Sequence, residues 1–112
     1  MISAHELQLL AGKNVEMVCF ARFSVYIHLH GGSLLTVEGR FEHIHDGVGH
    51  WATFPITESG LLTIIESVVT SASMDTNGDV ILAFSNGDHL CVSKEAGFES
   101  YRLNVGNEEF IP

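Results

Sequence analysis

Apolar and polar residues alternate along most of this chain. Val15, Met17 and Cys19 are spaced by Glu16 and Val18, and Val25, Ile27 and Leu29 by Tyr26 and His28. A period of two marks a strand with one buried face. Leu35 and Val37 continue that face after Gly31-Gly32, and residues 41–45, 68–74, 79–85, 88–93, 98–105 and 110–111 read as further strands. Gly31-Gly32, Asn77-Gly78 and Asn86-Gly87 separate strand-like runs, and such pairs accept the positive φ angles of two-residue hairpin turns. Two stretches carry helical spacing instead. In the first, Ser3 and Glu6 form a capping box, Leu7, Leu10 and Ala11 share a face, and Gly12 is the stop. In the second, residues 58–66, Leu61, Leu62 and Ile65 lie on one side, with Thr57 or Ser59 as the cap. Asp46 to His50 reads as a loop, and Lys94 to Gly97 as a connecting turn.

Shifting the numbering by 55 places Val25, Ile27 and Leu29 on Val80, Leu82 and Phe84. The same shift places Gly31-Gly32 on Asn86-Gly87, and Leu35 and Val37 on Leu90 and Val92. Turn and apolar positions coincide together, which is the signature of a repeat. The expected fold is α+β and mainly antiparallel β, a single domain over residues 1–112. A helix–β–β–β unit is used twice, over about 3–45 and 57–105, giving a twisted sheet or half-open barrel with one or two short helices. Phe20, Phe23, Tyr26 and Trp51 are expected to pack in the core or on a sheet face.

Composition adds a core and a charge. Of the 112 residues 46% are hydrophobic and 17% charged, a balance that excludes disorder. Lys and Arg number 5 against 14 Asp and Glu, a net charge of −9, so nucleic acid and anionic membranes are poor partners. Nine of the carboxylates lie after position 56. Neither a signal peptide nor a membrane-length apolar run is present, and the 2 cysteines are too few for a disulfide framework. These features imply a reduced, cytoplasmic protein, with Cys19 and Cys91 as inert thiols.

The histidines are the first candidates for chemistry. His28 and His30 share one strand face, and His43 and His45 repeat that spacing, with Asp46 and His50 close by in sequence. Imidazole with carboxylate suits zinc or a similar divalent ion. The alternative function is therefore a metal- or small-ligand-binding barrel of cupin-like kind using His28, His30, His43 and His45. A polar outer face accounts for the same pairs. Residues 75–79, Asp-Thr-Asn-Gly-Asp, fit a hairpin turn better than a calcium loop. With no nucleophile elbow, phosphate loop or dinucleotide fingerprint, the expectation is a protein that is not an enzyme and uses no cofactor.

Three segments carry a resemblance: Ala11-Gly12-Lys13-Asn14-Val15, Val37-Glu38-Gly39-Arg40-Phe41 and Phe98-Glu99-Ser100-Tyr101-Arg102-Leu103. Over roughly residues 9–105 the chain resembles a family of small duplicated bacterial domains of unknown function. Such domains look like immunity proteins of polymorphic toxin and contact-dependent growth inhibition systems. The resemblance implies a binding protein that neutralises one toxin domain. An acidic inhibitor suits a basic, nuclease-type toxin, because it can mimic phosphate charge and associate quickly. Asp75, Asp79, Asp88, Glu95 and Glu99, placed at reachable turns and strand ends, are the expected contact residues.

Overall fold

The computed structural model describes residues 4–55, 59–94, 101–105 and 108–110. Ten strands run through them: β1 (Val15–Phe20), β2 (Val25–Leu29), β3 (Ser33–Val37), β4 (Phe41–His45), β5 (Val48–Ala52), β6 (Val69–Met74), β7 (Val80–Phe84), β8 (His89–Val92), β9 (Tyr101–Val105) and β10 (Glu108–Phe110). They form two five-stranded sheets, ordered β1-β2-β3-β9-β10 and β5-β4-β8-β7-β6. Every pairing between named strands is antiparallel. Each sheet thus starts from a three-stranded meander and is completed by a hairpin from the other half of the chain. Both sheets end in outer strands, so neither closes into a barrel.

The two sheets meet where Asn14 bridges Val68. Around this bridge the backbone hydrogen bonds come in matched pairs. Gly12 N–H donates to the Val69 carbonyl and Glu66 N–H to the Val15 carbonyl; Val15 N–H donates to Ser67 and Val69 N–H to Lys13. A shift of 54 converts each bond into its mate. Both first strands also carry a bulge at the same place, between Val15 and Met17 and between Val69 and Ser71.

The alternation along β2 and β7 is realised as burial: Val25, Ile27 and Leu29, like Val80, Leu82 and Phe84, are at most 3% exposed. With Leu35, Val37, Leu90, Val92, Phe41 and Tyr101 they form one continuous core. Each such side chain contributes roughly 1.5–3 kcal/mol on leaving water.

The helix–β–β–β unit is not what forms. Helical structure among the described residues amounts to α1 (Ala4–Leu7), continued by a 3₁₀ turn at Gln8–Leu10, and 3₁₀ turns at His30–Gly32 and Leu61–Ile64. The second predicted helix stops at Ile65, which is extended, and Glu66 takes a φ of 72°. Two causes act together. Thr63, Ile64 and Ile65 are β-branched and disfavour a longer helix. Glu66 must also turn its N–H toward Val15 to join the sheets. The N-cap of the turn is Gly60, not Ser59, whose hydroxyl accepts the Leu61 N–H from one position earlier; Ser3 and Thr57 lie outside the described residues. The turn at Leu61–Ile64 packs on β1, and the first helical segment packs on β6, so each covers the other half's strand.

Three further expectations change. Asp46 to His50 is no loop: Asp46 (φ 52°) and Gly47 (φ 76°) make the tight turn between β4 and β5, with His45 paired to Val48. Asn86-Gly87 is no two-residue turn, because only Gly87 has a positive φ and the connection spans residues 85–87. Phe20, Phe23 and Trp51 are 43%, 57% and 51% exposed. They sit on or beside the outer strands β1 and β5, which have a neighbour on one side alone. No helix of the described residues is long and apolar enough to cross a membrane.

Candidate functional site

β4 and β8 set the site through their register. His43 lies opposite Leu90 and Ile44 opposite His89, so one step further His45 faces Asp88. Side chains alternate along a strand. Phe41, His43 and His45 therefore share a face with Asp88, Leu90 and Val92, and that face is the core side of the sheet. His43 is 3% exposed, so this pair does not lie on a polar outer face.

Asp88 is the centre. Its Oδ2 is 2.8 Å from His43 Nε2 and its Oδ1 is 2.7 Å from His45 Nδ1. The Thr63 hydroxyl, on the Leu61–Ile64 turn, donates to Oδ2. A carboxylate has no proton to give, so each imidazole donates: His43 through Nε2–H and His45 through Nδ1–H. Asn86 fixes the frame around them. Its side-chain oxygen accepts the Asp88 N–H, and its amide donates to the Thr63 carbonyl, 2.9 Å each.

Burial alone pushes the Asp88 carboxyl up. Hydrogen bonds from Thr63, His43, His45 and Asn86 together outweigh it and bring the carboxyl down to about 2. The hydrogen bond to Asp88 raises His45, burial opposes this, and the charges of Asp46 and Asp88 add to the rise. His45 Nε2 is 3.4 Å from Asp46 Oδ2. The His45 side chain is 41% exposed and that of Asp88 1%, so the cluster runs from the protein interior to solvent.

Over this cluster opens a cavity of about 620 Å³, within the range of ligand pockets. His43, His45 and Thr63 form its polar floor and Phe41 and Ala52 an apolar wall, while Trp51, paired with Glu42, stands at the rim. His50 lies directly opposite His43 on β5 and also lines it. The Arg40 guanidinium stacks 4.0 Å over the Trp51 ring and holds it in place. Gly60 lies beside His43, where a Cβ would sit in ordinary contact 3.7 Å from Cε1, so a longer side chain there would reach over the ring.

The other sheet lacks this arrangement. The shift that superposes Leu35 on Leu90 takes Asp88 back to Ser33. In the same register, the strand residue opposite Leu35 is Leu103, the counterpart of His43. Ser33 is 1% and Leu103 0% exposed. The same fold thus closes one end with serine and leucine and the other with aspartate and histidine, so the charged cluster is not a requirement of the architecture.

The structure places the sequence-derived candidates in three groups. His43, His45 and Asp88 come together, and their ligand atoms lie within 4.8 Å of one another. His28 lies on β2 of the other sheet, but His30 starts the 3₁₀ turn His30–Gly32, so the two do not share a strand face as expected; His30 Nδ1 approaches Glu16 at 3.3 Å. Asp75 and Asp79 lie at the opposite end of β7 from Asp88, about 15 Å along the strand. Asp75 Oδ1 accepts the Asn77 and Asp79 N–H groups, and Asp79 Oδ1 accepts that of Lys94, so both carboxylates build the turn. Asp88 is corrected outright: expected at a reachable turn, it is buried because two imidazoles and a hydroxyl satisfy it. Glu95 and Glu99 lie outside the described residues. Thr63 carries no signal in the sequence, and Asn86 signals only its turn with Gly87.

No curated protein and no solved structure matches this chain. A family model does, over residues 6–111, and the chain therefore belongs to a family of unknown function, DUF6188.

Proposed function

We propose that this protein is a binding module, not an enzyme, and that its ligand is a small molecule seated in the cavity over β4, β5 and the Leu61–Ile64 turn. The observation that carries the reading is the buried Asp88 carboxylate, held ionised by two imidazoles beneath an open cavity. Burying a charge costs several kcal/mol unless it is paired, and the Ser33 end of the fold does without one. Strongly perturbed groups grouped under a cleft are the usual sign of a site. Phe41 and Ala52 suit an apolar part of the ligand, and the imidazoles a polar group. Thr63 gives its proton to Asp88, a bracing role that does not make it a nucleophile.

Occupancy is read by calorimetric titration, with the emission of Trp51, the one tryptophan of the chain and a residue at the cavity rim, as a second report. Nucleosides, amino acids, sugars and aromatic carboxylic acids are titrated against wild type and Gly60→Leu, which fills the opening. The reading expects at least one class to bind saturably in wild type and at least tenfold more weakly in the variant. Indifference to every class contradicts it.

A second reading has its own support, the net charge of −9 with nine carboxylates after position 56. In it the protein is a cytoplasmic immunity protein that covers a basic, nuclease-type toxin domain through Asp75, Asp79, Glu95 and Glu99. Asp88, being buried, drops out of that surface. Growth rescue of cells that express a nuclease-type toxin domain from the same genome is the test. Full rescue by a folded variant with these four residues changed to Lys removes this surface.

A further inference from the structure

We infer that His43 Nε2, His45 Nδ1 and an Asp88 carboxylate oxygen form a binding site for a divalent transition-metal ion of the zinc and iron(II) class. The inference rests on the cavity reading for its location and names the chemistry of its floor. Two imidazoles and one carboxylate are the donor set that zinc takes in open sites, and also that of the two-histidine, one-carboxylate iron(II) centres.

The geometry lies close to what an ion requires. Ligand bonds of about 2.0–2.1 Å at tetrahedral angles put neighbouring donor atoms about 3.3 Å apart. The imidazoles contact different oxygens of Asp88, 2.8 Å to Oδ2 and 2.7 Å to Oδ1, and the three donor atoms lie within 4.8 Å of one another, so a modest shift of one ring and the carboxylate brings them around one ion. His45, 41% exposed, has room to make that move. Asp88 is 1% exposed, which separates this group from a chance cluster of surface carboxylates.

The protons have somewhere to go. A bound ion takes the lone pairs of His43 Nε2 and His45 Nδ1, so each ring carries its proton on the other nitrogen. For His45 that is Nε2, where Asp46 Oδ2 stands 3.4 Å away to accept it. A ligating histidine that hands its second N–H to a carboxylate is the common outer-shell arrangement of metal sites. For His43 it is Nδ1, which faces the space left by Gly60. The remaining coordination positions open into the cavity, within reach of a bound small molecule.

The test is calorimetric titration of the chelator-treated full chain with zinc chloride, alongside cobalt(II) absorption as a report of ligand geometry. The expected result is one ion per chain, bound at least tenfold more weakly by His45→Ala and by Asp88→Asn. A His28→Ala/His30→Ala control binds like wild type. Where Asp88→Asn does not fold by circular dichroism, His45→Ala decides. Absence of heat and of a cobalt band overturns the site. So does wild-type affinity in His45→Ala, or loss in the His28/His30 control. Zinc silence with persisting small-molecule binding removes the metal and leaves the cavity reading. Zinc binding without any small-molecule effect removes the cavity reading and leaves the metal.

Discussion

Asp88 stands in one half of this protein where Ser33 stands in the other. Both are 1% exposed and both lead into the third strand of a meander. Among the described residues the Ser33 hydroxyl has no hydrogen-bond partner, whereas Asp88 is held by His43, His45 and Thr63. The two ends of one architecture thus differ in a core position and in the side chains gathered around it.

Exchanging one end for the other gives a first prediction. Asp88→Ser leaves the buried His43 N–H unpaired and is expected to cost about 2–4 kcal/mol. Adding His43→Leu copies the Ser33–Leu103 pair and is expected to recover more than half of that loss. Urea denaturation of the two single variants and the double variant measures the coupling. A double variant as weak as the sum of the singles contradicts the equivalence of the two ends.

The cluster also sets a pH dependence. Asp88 lies at about 2 against an ordinary 3.8, a depressed value, so its stabilisation is present above 3.8 and is lost as pH falls toward 2. The loss is on the order of 2 kcal/mol. His45 is raised above 6.5, so its contribution is complete below 6.5 and fades as pH rises through the higher folded value. Urea midpoints in chelator from pH 2 to 9, wild type minus Asp88→Asn, are expected to fall at both ends. A flat difference curve contradicts the pairing.

Much of the fold was legible where a half-buried strand keeps its alternation. Val25 to Leu29 and Val80 to Phe84 are read correctly from the sequence for that reason. In β1 and β6 a bulge breaks the alternation, so that Val18 is buried and Met17, expected on the apolar face, is 46% exposed. β5 was missed because Val48 to Ala52 is an outer strand whose side chains are mostly exposed, so it shows no apolar period. The signal that was available was Asp46-Gly47, a two-residue turn pair directly after an alternating run. The exchange of hairpins between sheets was invisible, since long-range pairing leaves no local pattern. The histidines of the site were found by their spacing. Their inward orientation, and the role of Asp88, depend on a register between β4 and β8 that joins residues 43 positions apart.

Phe84 is 3% exposed at the end of β7, in the place that Leu29 holds on β2. Phe84→Ala is expected to cost about 3–5 kcal/mol, the transfer term plus the cavity left behind. A chemical denaturation series measures it, and a loss below about 1 kcal/mol would show that the core does not rest on this side chain.

Glu66 adopts a φ of 72° where its counterpart Gly12 has 86°. A side chain in this region is strained, and glycine is not. Glu66→Gly is expected to leave stability unchanged or raise it by up to about 1 kcal/mol, while Gly12→Ala lowers it by about 1 kcal/mol. Thermal unfolding of both variants checks the sign; a clear loss in Glu66→Gly contradicts the matched geometry.

The most direct measurement is a long-range nitrogen–proton spectrum of the imidazole rings, at pH 8, with and without zinc. Without metal, His43 is expected to carry its proton on Nε2 and His45 on Nδ1, both donating to Asp88. With one equivalent of zinc, these two of the 7 histidines are expected to move their protons to the opposite nitrogens while the others stay as they were. Unchanged His43 and His45 signals, or changes confined to His28 and His30, would contradict a binding site built on Asp88.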